Sequence, residues 1–376
     1  MKTNIPERIA ALREAMRQQK VDAYIIPSSD PHLSEYPADR WKSREWISGF
    51  TGSAGTIVVT ADKAGLWTDS RYFLQAASQL EGSGIELYKL ALPETPSITE
   101  FLLHELHAGQ AVGLDGQTYS AAEASALANK LSRKEIKLDT SADLIEGIWK
   151  DRPAVPGNPI FEMPEALSGA SVHEKLDLIN NQLRSEGADC LILAALDEIA
   201  WTFNIRGTDV TYNPVVVSYA FVSEDESVLF IKPEKLTAEI TEHLKKEGVT
   251  LAEYSMIQRY LSRLPENSRV FVDMNKTNVS LYDAIPGSCT IVEGISPANH
   301  LKSIKNETEI KGFQNAVVKD GVALTKFYIW LEKQMAEGAQ VTEISAAEKL
   351  TALRAEQPQY IMDSFGTICG YAEHGA

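Results

Sequence analysis

Cysteine is scarce in this sequence of 376 residues, which contains only three. Cys190, Cys289 and Cys369 are odd in number and lie far apart, which excludes the disulfide framework of a small secreted domain. They also lack the spacing that is typical of a zinc site. We therefore expect three free thiols in a reducing compartment.

Long apolar runs and an excess of positive charge are lacking as well. No apolar run approaches the roughly 20 residues that cross a bilayer, and the first 16 residues, MKTNIPERIAALREAM, lack the apolar segment of a secretory signal. The net charge is −16, whereas nucleic-acid binding needs a basic surface. We expect a cytoplasmic protein with neither a membrane nor a nucleic acid as partner.

Patterns typical of helices and strands alternate along the chain. Apolar residues recur at helical spacing over 5–19 and 120–131, while the short segments 23–27, 56–60 and 64–70 predict strands. This alternation indicates an α/β fold. The chain is also too long for one ordinary core, so several domains are expected.

The pattern of the first half returns in the second. Six residues are matched at a spacing of 167: Ile9, Leu12, Met16, Asp22, Ile25 and Ile26 by Leu176, Ile179, Leu183, Asp189, Ile192 and Leu193. The string AVGLDG at 111–116 has a counterpart in VFVDMN at 270–275. Three prolines and a glycine at 151–160 suit an extended linker. We predict two related α/β units, residues 1–150 and 151–300.

A different pattern begins near residue 301. Asn306 and Glu309 have the spacing of a capping box, and a second helix is predicted from about Thr342. A glycine-rich strand and loop would follow over 364–376. Between these signals, one apolar stripe is formed by Ile310, Phe313, Val317, Gly321, Leu324, Tyr328 and Leu331. Two helices cannot bury such a stripe, so we expect 301–376 to be the start of a third, truncated domain.

Three glycines at 49, 52 and 55 raise the possibility of a phosphate or nucleophile loop. The segment has no Gly-Lys-Ser/Thr ending, and it precedes a strand, whereas a Rossmann fingerprint or a nucleophile elbow leads into a helix. Ser53 is therefore not predicted to be a nucleophile. The glycines predict a tight backbone turn.

Histidine offers no clear metal site. His104 and His107 in HELH lack the four-residue spacing of a zincin motif, and no third ligand is near, so a solvated helix face is expected. His374 is predicted to be a surface histidine. No plausible Ser/His/Asp or Cys/His set is present.

Two arginines deserve separate hypotheses. Arg71 follows a predicted strand close to Asp69, and it could form a local ion pair or present its rigid fork to a carboxylate or a peptide carbonyl. Arg206 has acidic neighbours in the sequence, so structural ion pairing is expected. These neighbours are Asp197, Glu198 and Asp209, and the nearby Trp201 and Phe203 are predicted to be core residues.

Five strings in series then resemble one family. SGFTGSAGT, LWTDSRYFLQAA, IWKDRP, ALDEIAWTFNIRG and VTEISAAEKL together resemble the long, three-domain form of the Xaa-Pro aminopeptidases (aminopeptidase P), over 23–376. The resemblance implies two tandem creatinase-N-terminal-like α/β modules followed by a truncated pita-bread (α+β) metallopeptidase domain. It also implies a homodimer that hydrolyses the bond between an N-terminal residue and a penultimate proline.

The resemblance also implies a site with two divalent metals, usually manganese, held by two aspartates, one histidine and two glutamates. In the family these ligands lie downstream of the matched strings, so no metal ligand or catalytic residue is expected in this chain, and we expect it to be inactive alone. His374 does not match the catalytic histidine. Arg71 does match the family's TD-small-RYF motif and is implied to bind substrate.

Two alternatives stay open. A prolidase- or creatinase-like relative would share the later fold, although the second module argues against it. A non-catalytic module for peptide binding or dimerisation would also fit the residues.

Overall fold

Two six-stranded mixed sheets form the centre of the computed structural model, which describes residues 4–375. The first sheet has the strand order β4-β3-β2-β1-β5-β6. Its strands are β1 Ala23–Ile26, β2 Thr56–Thr60, β3 Ala64–Thr68, β4 Glu86–Lys89, β5 Ala111–Leu114 and β6 Lys137–Asp139. Its helices are α1 Ile5–Gln19, α2 Ser43–Ser48, α3 Phe73–Gln79, α4 Ile98–Glu105, α5 Ala121–Ser132 and α6 Leu144–Ile148.

The second sheet repeats this topology, with the order β12-β11-β10-β8-β13-β14. The strands from here on are β7 Phe161–Glu162, β8 Cys190–Leu193, β9 Ile205–Arg206, β10 Ser218–Ser223, β11 Ser227–Ile231, β12 Val249–Ala252, β13 Arg269–Val272 and β14 Thr290–Glu293, with β7 and β9 forming a separate ribbon. The helices are α7 Glu165–Ser168, α8 Val172–Ser185, α9 Leu196–Thr202, α10 Ala238–Lys246, α11 Ile257–Leu261, α12 Val279–Tyr282 and α13 Pro297–Ser303.

The two sheets agree in strand direction as well as in order. In each, the second, third and fourth strands of the order are antiparallel neighbours, and all the other pairs are parallel. The prediction of two tandem related α/β modules is confirmed. Val112 pairs with Ala23 at the start of β1, and Val270 pairs with Cys190 at the start of β8, so Val112 and Val270 are equivalent. The counterpart of AVGLDG therefore begins at Arg269, one residue earlier than the sequence comparison predicted.

Asp22 and Asp189, which are matched in the two units, make equivalent hydrogen bonds. Asp22 precedes β1, donates its N–H to Ala111 O (2.8 Å) and accepts the Ala111 N–H at Oδ2 (2.9 Å). Asp189 precedes β8 and makes the same two bonds with Arg269, each 2.8 Å long. In both units one acidic residue therefore sets the register of the central parallel strand pair.

Each sheet is covered by helices on both faces, because alternate strand residues point to opposite sides. In the first unit, Leu12 of α1 packs on the face that contains Ile57 and Val59, whereas Val58 faces Leu102 of α4. Strands β1 and β3 are fully buried and β2 nearly so, although the predicted strand 64–70 ends at Thr68. The predicted linker 151–160 contains neither helix nor strand.

The two units meet along a self-complementary seam. Eight residues beyond the matched Val112 and Val270, Ser120 and Asn278 form an antiparallel bridge. Four backbone hydrogen bonds flank it in equivalent pairs. Ala121 N to Thr277 O is mirrored by Val279 N to Tyr119 O, both 2.9 Å, and Ala122 N to Met274 O (3.0 Å) by Ser280 N to Gly116 O (3.1 Å). A local pseudo-twofold axis thus relates the units.

The remaining helices are α14 Glu307–Ala336 and α15 Glu343–Ala355. The capping box of Asn306 and Glu309 is present, and Thr342 caps α15, as predicted. The apolar stripe is largely exposed, with Phe313 at 60% and Val317 at 70%. The expected strand after α15 is wrong, because 356–371 contain no regular element. No described helix is long and apolar enough to cross a membrane.

Candidate functional site

The glycine-rich turn follows α2 and is organised around a buried arginine. Gly49 ends the helix with φ +72°. The buried Arg44 side chain donates from Nη1 to Phe50 O (2.7 Å) and from Nη2 to Gly52 O. Burial lowers the pKa of Arg44 to about 10, so the group stays charged at neutral pH. The carbonyl oxygens of this turn accept hydrogen bonds from a cation, whereas a phosphate loop donates N–H groups to an anion. The prediction of a structural turn is therefore confirmed.

Gly52 also allows close contact between this turn and the segment after β3. A Cβ atom there would lie 2.3 Å from Phe50 Cζ and 2.8 Å from Tyr72 Cδ1. Ser53 Oγ lies 2.6 Å from Tyr72 Oη. Any side chain at position 52 would separate the two segments, so the glycine positions the 3₁₀ helix that carries Arg71.

Arg71 lies in that 3₁₀ helix, Ser70–Tyr72, directly after β3. Asp69 accepts its backbone N–H (3.1 Å), and the carboxylate oxygens accept Nε and Nη2 at 2.8 Å each. The hydrogen bond from Arg71 holds the pKa of Asp69 below its usual value. The predicted local ion pair is confirmed.

The ion pair leaves the outer edge of the arginine fork available. The Arg71 side chain is 64% exposed, and its Nη1 has no hydrogen-bond partner within residues 4–375. The Tyr72 ring lies 5.0 Å from its Cζ. The guanidinium is held on one side by a carboxylate and is open to solvent on the other, where it can donate to a carboxylate or carbonyl oxygen.

The expected ion pairs of Arg206 are wrong. Its Nη1 donates to the carbonyl oxygens of Ala200 (2.6 Å) and Ile205 (2.9 Å), and no described carboxylate lies within ion-pair distance. Asp209 binds Lys235, and Asp197 binds Lys302 from α13. Neighbours in sequence were poor guides because the partners come from elements far along the chain. Phe203 is fully buried and Trp201 packs against the core, as predicted.

The three histidines singled out in the sequence are exposed as predicted, but the expected helix face is wrong for His107, which lies in the loop after α4 ends at Glu105. His104 is exposed beside Glu105, His107 is exposed, and His374 is exposed with Nδ1 at 2.9 Å from Glu343 Oε2. The three cysteines are free. Residues 4–375 contain no group of three or more His, Cys, Asp or Glu that could hold a metal ion.

Sequence reasoning missed the buried residues that join the two units. His32 of the first unit inserts into the second, with Nδ1 2.9 Å from Ala194 O and Nε2 3.0 Å from Tyr254 Oη. Because the carbonyl can only accept, Nδ1 carries the proton and the tyrosine donates to Nε2. Pro31 O accepts from Asn278 Nδ2 at 2.7 Å. Only the capping pattern at Ser120 and Asn278 could have hinted at this seam.

Comparisons with known families agree with this architecture. One Creatinase/Prolidase N-terminal domain family matches residues 8–148, and a second family of the same description matches 151–309. The chain thus contains two creatinase-N-like domains followed by a C-terminal region, within one mixed α/β fold.

Individual relatives extend the similarity to the whole chain. "Probable Xaa-Pro aminopeptidase P" of Laccaria bicolor is 38% identical over 99% of this chain and 59% of its own length. "Aminopeptidase P2" of Arabidopsis thaliana is 36% identical over 100% and 58%. The chain spans about three fifths of the length of these curated relatives.

A solved structure shows the same fold. The crystal structure of X-prolyl aminopeptidase from Caenorhabditis elegans, described as a cytosolic enzyme with a di-nuclear active site, matches with a TM-score of 0.91 and 30% identity. The match covers 97% of this chain and 62% of that one. With two creatinase-type domains in tandem and similarity from end to end, the chain belongs to the Xaa-Pro aminopeptidase family.

Proposed function

We propose that these residues are the N-terminal part of a metal-dependent Xaa-Pro aminopeptidase, which releases the first residue of peptides that have proline second. The observation that carries this proposal is the 0.91 TM-score at 30% identity over 97% of the chain. The proposed domain boundaries are 1–150, 151–300 and 301–376. The family matches at 8–148 and 151–309 support the first two units.

In this proposal the described residues bind and position substrate. Arg71 offers its Nη1 edge to a carbonyl or carboxylate oxygen of the peptide, and Asp69 keeps the guanidinium oriented. Arg44 and Gly52 hold the turn against which Tyr72 packs. Two divalent ions, manganese by preference, would activate water and stabilise the oxyanion, and residues outside 4–375 would hold them.

The proposal is tested with a protein of the relatives' length and an Ala-Pro-Phe peptide in Mn²⁺. We expect release of alanine, loss of turnover with a chelator and recovery with the metal. Equal or faster cleavage of the dipeptide Ala-Pro would instead identify a prolidase-like enzyme. Absence of turnover on both substrates, with metal bound, would favour a peptide-binding module.

We further propose that the 376-residue chain alone is inactive, that the longer protein is a homodimer, and that it is cytoplasmic. The cytosolic description of the Caenorhabditis elegans enzyme supports the last point. Turnover of Ala-Pro-Phe by the 376-residue chain above the no-enzyme background would contradict the first. Light scattering after size exclusion and cell fractionation test the other two.

A further inference from the structure

A cavity of about 600 Å³ lies on the face of the second sheet that α11 covers. Its floor is aromatic, with the Tyr260 ring edge-on to Phe221 and Phe230 at centroid distances of 5.0 and 5.2 Å. Ala252 and Met256 complete the apolar lining. This volume and lining are typical of pockets that bind small molecules.

The first unit fills the equivalent space. The register of the two sheets matches Phe230 with Trp67 and Ala252 with Tyr88. The rings of Trp67 and Tyr88 stack at 4.0 Å, and Phe101 of α4 packs edge-on at 5.0 Å. Alanine in place of tyrosine, under a five-residue helix instead of an eight-residue one, leaves the second unit open.

The rim of the cavity offers unpaired positive charge. Arg259 lies in α11 and Arg263 lies in the turn after its end, and both line the cavity. Neither side chain has a hydrogen bond or an ion pair with any residue of 4–375. The acidic rim groups are mostly occupied, because Asp189 binds Arg269 and Glu226 accepts from Tyr260 Oη, which leaves Asp225.

We propose that this cavity binds a small molecule in which one carboxylate is joined to an aromatic or large apolar group. The apolar group lies on the floor formed by Phe230 and Ala252, and the carboxylate accepts from Arg259 and Arg263. Arginine suits this contact because its planar fork can donate two parallel hydrogen bonds to a carboxylate. A free aromatic acid and the C-terminus of a peptide share this chemistry.

The test uses the 376-residue chain and N-acetylphenylalanine, with affinity measured by calorimetry. We expect saturable binding with a Kd of about 1 mM or tighter. R259Q and R263Q should each weaken it about tenfold, because each removes a charge-assisted hydrogen bond. A252Y should abolish it by restoring the ring that the first unit has. R133Q, at an exposed arginine of the first unit, is the matched control and should leave the affinity unchanged.

Three results would overturn the proposal. The first is no saturable binding at a ligand concentration of about ten times the expected Kd. The others are equal affinity for N-acetylphenylalaninamide and unchanged affinity in both arginine variants. Circular dichroism establishes that each variant is folded, and R259Q and R263Q decide the question if A252Y is not. Gly-Gly-Phe distinguishes the sources of the ligand. Binding equal to that of N-acetylphenylalanine indicates a peptide C-terminus, and weaker binding indicates a free acid.

Discussion

Strands β3 and β11 occupy equivalent positions in the two sheets, and each is followed by a 3₁₀ turn. Charged residues at matched positions of these two turns have opposite signs. In the first unit the turn Ser70–Tyr72 has the exposed pair Asp69–Arg71. In the second, Pro233–Lys235 has the pair of half-buried Lys232 and exposed Glu234, with signs reversed at matched positions. An ion pair between residues two apart therefore forms at this turn in both units, with the acidic residue first in one and the basic residue first in the other. Of the two turns, only that of the first unit exposes a guanidinium.

The last residue of each turn separates the copies further. Tyr72 is partly exposed and contacts Ser53, whereas its counterpart Lys235 is fully buried and pairs with Asp209. One duplicated turn has thus become a surface feature in the first unit and an anchor for the core in the second. The comparison teaches that both units keep the turn, while its charge and its burial depend on single residues.

Breaking the buried pair of the second unit should have the largest effect. K235M leaves the Asp209 carboxylate buried with the Val217 N–H as its remaining partner, and we expect a loss of about 3–5 kcal/mol in the free energy of unfolding. Chemical denaturation measures it. K235M/D209N should recover most of the loss, and E234Q, at the exposed end of the neighbouring pair, should change little. A similar small change for K235M would mean that the buried pair does not anchor the turn.

Removing the outward guanidinium of the first unit should affect activity and leave stability unchanged. In a protein of the relatives' length, we expect R71A to lower kcat/KM about 10- to 100-fold, because one charged hydrogen bond to substrate is lost. Steady-state kinetics on Ala-Pro-Phe, together with a melting curve, separate the two effects. E234A, at the matched position of the second unit, is the control. Equal kinetic losses in both variants would remove the distinction between the copies.

The insertion of His32 into the second unit should make stability dependent on pH. Burial lowers the pKa of His32, below its unfolded value of about 6.5. The neutral form is favoured by folding, so this stabilisation is present above pH 6.5 and decreases as the pH falls through that value towards the folded pKa. The slope is at most about 1.4 kcal/mol per pH unit. Unfolding measured between pH 5 and 8 checks it, and H32Q should flatten this part of the profile.

The smallest effect is expected from the carboxylate beside Arg71. D69N keeps the shape of the side chain but weakens its hold on the guanidinium, so we expect KM to rise by about two- to fivefold with kcat nearly unchanged. D69E, which restores the charge, should recover part of the loss. A fall in kcat at constant KM would contradict a positioning role.

Much of the fold could be predicted from local pattern. The spacing at Leu12 and Leu176 predicted both amphipathic helices, and Asp22 and Asp189 marked the start of matched strands, because burial and capping act over a few residues. The seam could not be predicted, since it depends on contacts such as His32 with Ala194, 162 residues apart. The expected ion pairs of Arg206 were wrong because Asp197 and Asp209 pair with lysines 105 and 26 residues away. At Arg71 the ion pair with Asp69 could be predicted from the sequence. That Nη1 has no partner among the described residues could be seen only in the folded structure.

The pseudo-twofold seam also has a consequence for the covalent link between the units. Residues such as Ala154 and Asn158 in the connector are exposed, whereas the joint itself is built from paired main-chain bonds and buried side chains on both partners. Continuity of the polypeptide mainly keeps two complementary surfaces at high local concentration. A protease that nicks the connector should therefore yield two pieces that migrate together under native conditions and separate only in denaturant.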